Sequence, residues 1–153
     1  HVDPTEVQQG RQHVLHLHAR VGQVIENFNN NDIPVFERFY LGGMQSIRGY
    51  GPLKISPRDD GDRIGGETMF FTNVEYLFPL EQEFGLVGVL FYDMGDAWGG
   101  GDHDFLSLKK SVGFGVRWYS PFGPMRIECG YALDEIEDQG DRFRVDFTVG
   151  QFF

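Results

Sequence analysis

The sequence predicts an all-β fold, a sheet of about six antiparallel strands belonging to a transmembrane β-barrel, and three observations predict it. Six runs alternate apolar and polar residues with a period of two, the signature of a strand with unlike faces. The runs are mostly about nine to twelve residues long, the length a tilted strand needs to cross a hydrocarbon core. The connections between them alternate between short and long, as they do between the two sides of an outer-membrane barrel.

Along the chain, Leu15, Leu17, Ala19 and Val21 alternate with His16, His18 and Arg20. Two more apolar runs follow, Thr68 to Phe78 and Phe84 to Met94. In the first, Asn73 and Glu75 share one side and Phe70, Val74 and Tyr76 the other; in the second both sides are largely apolar, and periodicity does not orient it. Val112, Phe114, Val116 and Trp118 then alternate with Gly113, Gly115 and Arg117. Met125, Ile127, Cys129, Tyr131 and Leu133 alternate with Arg126, Glu128, Gly130 and Ala132. The last run, Arg142 to Phe153, places Phe143, Val145, Phe147, Val149 and Phe153 on one face and Arg142, Arg144, Asp146, Thr148 and Gly150 on the other. One face suits lipid and the other water. The connections are long (Asn27 to Gly66), short (Pro79 to Glu83), medium (Asp96 to Lys110), short (Ser120 to Pro124) and medium (Asp134 to Asp141). Six strands are too few to close even the smallest barrel of roughly eight, so further strands are expected upstream or in another chain.

Composition agrees. The 153 residues include 21 glycines, 15 phenylalanines, six tyrosines and two tryptophans, a mixture that favours strands. No stretch approaches the roughly 18 apolar residues of a membrane helix, and in a barrel strand alternation dilutes the apolar signal, so the negative mean hydropathy does not argue for solubility. The net charge of −10 comes largely from expected loops such as 58–62 and 134–141, and it disfavours a nucleic-acid partner. The single Cys129 rules out a disulfide within the chain and reads as a packed thiol in an apolar run. A start at His1, with no apolar leader, is expected of a piece of something longer.

The long connection, 27–66, carries Phe39-Tyr40-Leu41-Gly42-Gly43-Met44-Gln45-Ser46-Ile47-Arg48-Gly49-Tyr50-Gly51. About 40 residues without regular structure are uncommon in a compact fold, and the aromatic content argues against disorder. The lumen of a barrel is the available place to bury them.

Ile47-Arg48-Gly49-Tyr50 resembles the (Val/Ile)-Arg-Gly-(Phe/Tyr) signature of the BamA superfamily, which includes mitochondrial and chloroplast relatives and two-partner-secretion transporters. Three further matches follow in that family's order: Phe91-Tyr92-Asp93-Met94-Gly95-Asp96-Ala97-Trp98, the run from Gly113 to Arg126, and a terminal aromatic at Phe153. The resemblance implies that residues 1–153 are the C-terminal part of one outer-membrane barrel domain, with the loop folded inside and 142–153 as the terminal strand at a seam. It implies that Arg48 pins the loop to the inner wall through Glu75 and Asp93. That agrees with the cost of leaving a buried guanidinium unpaired. Gly49 would permit the turn and the close approach of backbone. By the same resemblance, Gly150, Phe152 and Phe153 form the terminal signal and seam, Gly150 matching a glycine at which the strand kinks inward.

The implied function is folding and inserting β-barrel proteins into the bacterial outer membrane, with the C-terminus on the periplasmic side. The partners would be membrane lipid, unfolded client barrels, accessory lipoproteins, and the upstream strands and periplasmic domains of the same protein. A polypeptide-translocating pore of the two-partner-secretion type is the alternative within the family; a soluble β-sandwich is disfavoured by strand length and by lipid-type faces.

No constellation points to an enzyme, a cofactor or a metal. His16 and His18 share a face near His13, but their run holds no Cys or carboxylate to complete a site. Asp59, Asp60 and Asp62 lack the downstream pattern of a calcium loop. The glycines at 42–43, 65–66 and 99–101 read as turns, and no nucleophile sits beside a general base.

Overall fold

The computed structural model describes residues 13–25, 33–81, 83–99, 107–121, 123–136 and 139–150. Its core is one antiparallel sheet of six strands in the order β1-β4-β5-β6-β7-β8. These are β1 (Val14–Gln23), β4 (Thr68–Glu81), β5 (Leu86–Trp98), β6 (Lys109–Ser120), β7 (Gly123–Ala132) and β8 (Phe143–Val149). Between β1 and β4 the loop holds the 3-10 turn Val35–Glu37 and a two-stranded ribbon, β2 (Arg58–Asp59) with β3 (Asp62–Arg63). Strands adjacent in the sheet follow one another in the chain, apart from the loop elements, so the sheet is a meander.

Alternation sorts the faces as the sequence requires. Leu90, Phe114, Val116, Trp118, Ile127, Tyr131, Phe143, Val145 and Phe147 are exposed on one face. A fully exposed side chain of this kind forfeits about 1.5–3 kcal/mol in water relative to an apolar phase, and these partly exposed ones forfeit a share of that, a deficit that lipid removes. The inner face of β4 to β7 carries Glu75, Asp93, Ser111, Arg117, Arg126 and Glu128, all buried. The undecided strand, β5, is now oriented: Val87, Val89, Phe91 and Ala97 are buried with Asp93, while Leu90 faces out.

Several strand ends differ from the sequence-based expectation, among them that of the last strand, which spans Phe143–Val149 and gives way to a bend at Gly150. Strand β4 runs past Pro79 to Glu81, through an irregularity in register between Pro79 and Glu81, and Phe84 lies in the turn instead of β5. Strand β5 continues beyond Met94 to Trp98, into the expected 96–110 connection, because the loop returns alongside it: Glu67 N–H donates to the Trp98 carbonyl at 2.7 Å. The loop is also less irregular than its composition suggested. Bridges Phe39 to Gly66 and Leu41 to Ile55, with Gly43 N–H donating to the Tyr50 carbonyl at 3.0 Å, lace its two arms together. These bonds satisfy part of the described loop's backbone away from water.

The loop lies against the inner face of the sheet. Its Leu41, Ile47, Tyr50 and Ile55 pack with Met69 and Phe71 of β4, Ala97 of β5 and Ala132 of β7. A second apolar group, Leu77, Val87, Val89 and Phe91, fills the inner face nearer the β4–β5 turn. The charged inner-wall residues lie on the same strands as these two groups.

Candidate functional site

Register explains why the charges meet. Glu75 lies opposite Phe91, Phe91 opposite Gly113, and Gly113 opposite Gly130. In the next inward row, Val89 lies opposite Gly115 and Gly115 opposite Glu128. The glycines leave floor space: a Cβ on Gly113 would stand 2.2 Å from Phe91 Cζ, and one on Gly115 would stand 2.6 Å from Glu128 Cγ. Phe91 therefore lies across Gly113 and Glu128 across Gly115.

Arg48 sits on this floor, 3% exposed. Its guanidinium carbon is 3.7 Å from the centroid of the Phe91 ring, a cation–π contact. Its Nε donates to Asp93 Oδ2 at 2.7 Å and its Nη2 to Asp93 Oδ1 at 2.7 Å, a two-pronged pair that the planar fork favours. The Arg48 backbone N–H adds a bond to Asp93 Oδ2 at 3.0 Å. Nη1 bridges Glu75 Oε1 at 2.6 Å and Glu128 Oε2 at 3.1 Å. Burial alone would lower the Arg48 pKa; the hydrogen bond and charge of Asp93, with the charges of Glu75 and Glu128, outweigh it and raise it, so the group stays cationic.

Arg117 of β6 engages two of the same carboxylates. Its Nη1 and Nη2 donate to Glu75 at 3.1 and 2.7 Å, and its Nε and Nη2 donate to Glu128 Oε1 at 3.2 and 2.9 Å.

The rest of the motif is held by backbone. Gly49 has φ +84°, a conformation costly for side-chain-bearing residues, and it presses against β7 at Gly130. A Cβ on Gly130 would lie 2.5 Å from Gly49 N. The Tyr50 side chain is fully buried, its hydroxyl 2.9 Å from the Lys110 carbonyl and 3.1 Å from that of Asp134, and it accepts the Asp134 N–H at 3.2 Å. Burial pushes its pKa up to about 12, so the hydroxyl keeps its proton. Asn73 Nδ2 donates to the Ser46 carbonyl at 2.6 Å, and Gln139 Nε2 to that of Gly49 at 2.8 Å.

The structure thus brings Ile47, Arg48, Gly49, Tyr50, Glu75 and Asp93 together. Glu128, Arg117 and Gly130 join them without having been assigned a role; inward parity on β6 and β7 was the signal for all three, and Arg117 also lay in the family-like run from Gly113 to Arg126. Gly150 lies apart, just beyond β8, with φ +117° and its N–H donating to the Pro124 carbonyl at 2.9 Å. Phe152 and Phe153 lie outside the described residues. On β1, a ring nitrogen of His16 is 3.5 Å from Glu75 Oε2, and one of His18 is 3.1 Å from Asn73 Oδ1.

A lipid-faced antiparallel wall that holds a loop inside through a buried arginine defines a class, the outer-membrane β-barrels with an inward-folded loop. The Omp85 superfamily domain matches residues 5–153, and the chain belongs to that superfamily. It is similar to the outer membrane protein assembly factor BamA of Nitratidesulfovibrio vulgaris, 49% identical over 92% of this chain and 18% of that protein. BamA of Neisseria meningitidis is 31% identical over 91% of this chain and 22% of its own length. The chain therefore spans about a fifth of the length of these curated relatives. The fold is that of the crystal structure of BamA from Haemophilus ducreyi lacking POTRA domains 1–3, with TM-score 0.67 and 20% identity over 90% of this chain and 34% of that one.

Proposed function

We propose that the protein containing this chain folds and inserts β-barrel proteins into the bacterial outer membrane, and that residues 1–153 form the C-terminal part of its barrel domain. The observation that carries this is the docked loop. Arg48 bonds three buried carboxylates on three different strands, in a chain whose relatives are named assembly factors. Arg48, with Glu75 and Asp93, pins the loop, and the pinned loop braces the wall next to the terminal strand. No covalent step is needed: a client strand gains backbone hydrogen bonds at an open sheet edge that lipid cannot offer.

In this reading Gly150, Phe152 and Phe153 belong to the seam, short turns face the periplasm, and the C-terminus ends there. Unfolded client barrels, accessory lipoproteins and periplasmic domains of the same protein are the partners, and lipid contacts the outer face. Depletion of the full-length protein should leave unfolded outer-membrane barrels in the periplasm, and wild-type protein in liposomes should speed the folding of an added client barrel. Normal barrel assembly after depletion, with no acceleration in liposomes, would overturn the proposal.

A further inference from the structure

We propose that Arg117 is a positioning residue for the loop: it holds Glu75 and Glu128 side by side with one oxygen of each presented to Arg48. The division of bonds carries the inference. Glu128 gives Oε1 to Arg117 and Oε2 to Arg48. Glu75 gives Oε2 to Arg117 and shares Oε1 between Arg117 Nη2 at 2.7 Å and Arg48 Nη1 at 2.6 Å. Arg117 therefore spans the two carboxylates that Arg48 Nη1 must find together, and it does so from the wall itself.

Charge gives the same answer. Among the described residues the buried ionic groups are Arg48, Arg117 and Arg126 against Glu75, Asp93 and Glu128. With the loop undocked, the wall retains two cations and three anions, one negative charge in excess, which is a receptor for one guanidinium. Without Arg117, Glu75 and Glu128 face each other with one cation fewer between them, and like charges at such range push the two side chains apart. Arg126 lies opposite Arg117 in register on β7, one strand farther than Arg117 from β4, which carries Glu75. The glycine floor fits the role: Gly115 lets Glu128 lean over β6 toward Arg117.

The test uses full-length protein free of other cysteines, with Cys129→Ala and the buried reporter Ser46→Cys, in lipid. The rate of maleimide labelling reports loop undocking, and heat-modifiable migration reports barrel folding. Arg117→Ala should raise labelling by about tenfold, Arg48→Ala should raise it further, and the double variant should label no faster than Arg48→Ala, because the two arginines act on one docking event. Arg117→Lys keeps the charge and loses the fork, and should restore only part of the protection. If Arg117→Ala does not assemble, Arg117→Lys carries the same cycle with a rise of about threefold. Labelling that is unchanged in a folded Arg117 variant, or that rises independently of Arg48, overturns the positioning role. The inference rests on the docked-loop reading but not on client insertion, which is assayed separately. Normal insertion with a freely labelled loop would overturn the function assigned to the loop while leaving Arg117's role intact.

Discussion

Glu128 and Asp146 face each other in register on β7 and β8, both on the inner side, yet they are held by different means. Glu128 is 2% exposed and joins Arg117 on β6 and Arg48 in the loop. Asp146 accepts from Arg144, two residues away on its own strand. Strands β4 to β7 are thus cross-braced through side chains from one loop, whereas β8 is joined by its backbone ladder to β7 and by Thr148 Oγ1 reaching Met44 Sδ. The contrast teaches where the sheet is rigid and where an edge is cheap to move. A buried network penalises any partial separation of its members, while a ladder of backbone bonds can be traded, one for one, with another strand.

The strongest way to break that contrast is Arg48→Ala. Removing the cation leaves three carboxylates on the inner wall short of their partner, and such a loss costs about 3–5 kcal/mol. Urea unfolding of the full-length protein in lipid, together with protease sensitivity of the 33–66 segment, should show a large destabilisation centred on the loop. Unchanged proteolysis and an unfolding midpoint equal to wild type would mean that the wall stands without the loop.

Two glycines sharpen the comparison. A methyl at Gly130 meets the backbone of Gly49, which cannot yield as a side-chain end can, so Gly130→Ala should cost about 1–3 kcal/mol and expose the loop to protease. At Gly150 no described residue lies within 4 Å of where a Cβ would stand, and the φ of +117° is what resists. Gly150→Ala should cost about 1–2 kcal/mol of local strain and leave the loop's protease resistance as it was. Equal loop exposure in both variants would erase the distinction between the braced wall and the terminal strand.

What the sequence made legible follows the same division. Along β8 the alternation from Phe143 to Val149 is strict, and its faces could be read without knowledge of a neighbour. The pairing of Arg48 with Glu75 and Asp93 was legible only through resemblance, because nothing local connects residues 45 and 27 positions apart. Glu128 and Arg117 were visible as inward-facing, but period two says which face a residue occupies and not which row it shares. The row depends on register. Gly113, Gly115 and Gly130 were illegible for a further reason: their contribution is empty volume, which acquires meaning only once Phe91, Glu128 and Gly49 are seen to fill it. Strand β5 was ambiguous because Leu90 and Val89 are both apolar though one faces out and one in.

Tyr50→Phe probes the upper rim of the braced region. The hydroxyl satisfies the Asp134 N–H and lies within bonding distance of two carbonyls, so its loss strands buried polar groups. A cost of about 1–2 kcal/mol in lipid-phase unfolding is expected, smaller than for Arg48 because no charge is left behind. A cost as large as that of Arg48→Ala would shift the anchor from the guanidinium to the aromatic.

The smallest effect is expected on β8. Arg144 Nε is 2.8 Å from Asp146 Oδ1, but the Arg144 side chain is 40% exposed, so solvent screens the pair. Pairs of this kind contribute about 0–1 kcal/mol, and Arg144→Ala should fall at the low end in the same unfolding assay. The variant matters because Arg144 occupies the row of Gly130, and hence of Glu75 and Phe91, so it asks whether the charged network extends to the last strand. If Arg144→Ala costs several kcal/mol, or exposes the loop to protease, the brace reaches β8. The terminal strand would then be held too firmly by its side chains to exchange partners on the strength of its backbone bonds alone.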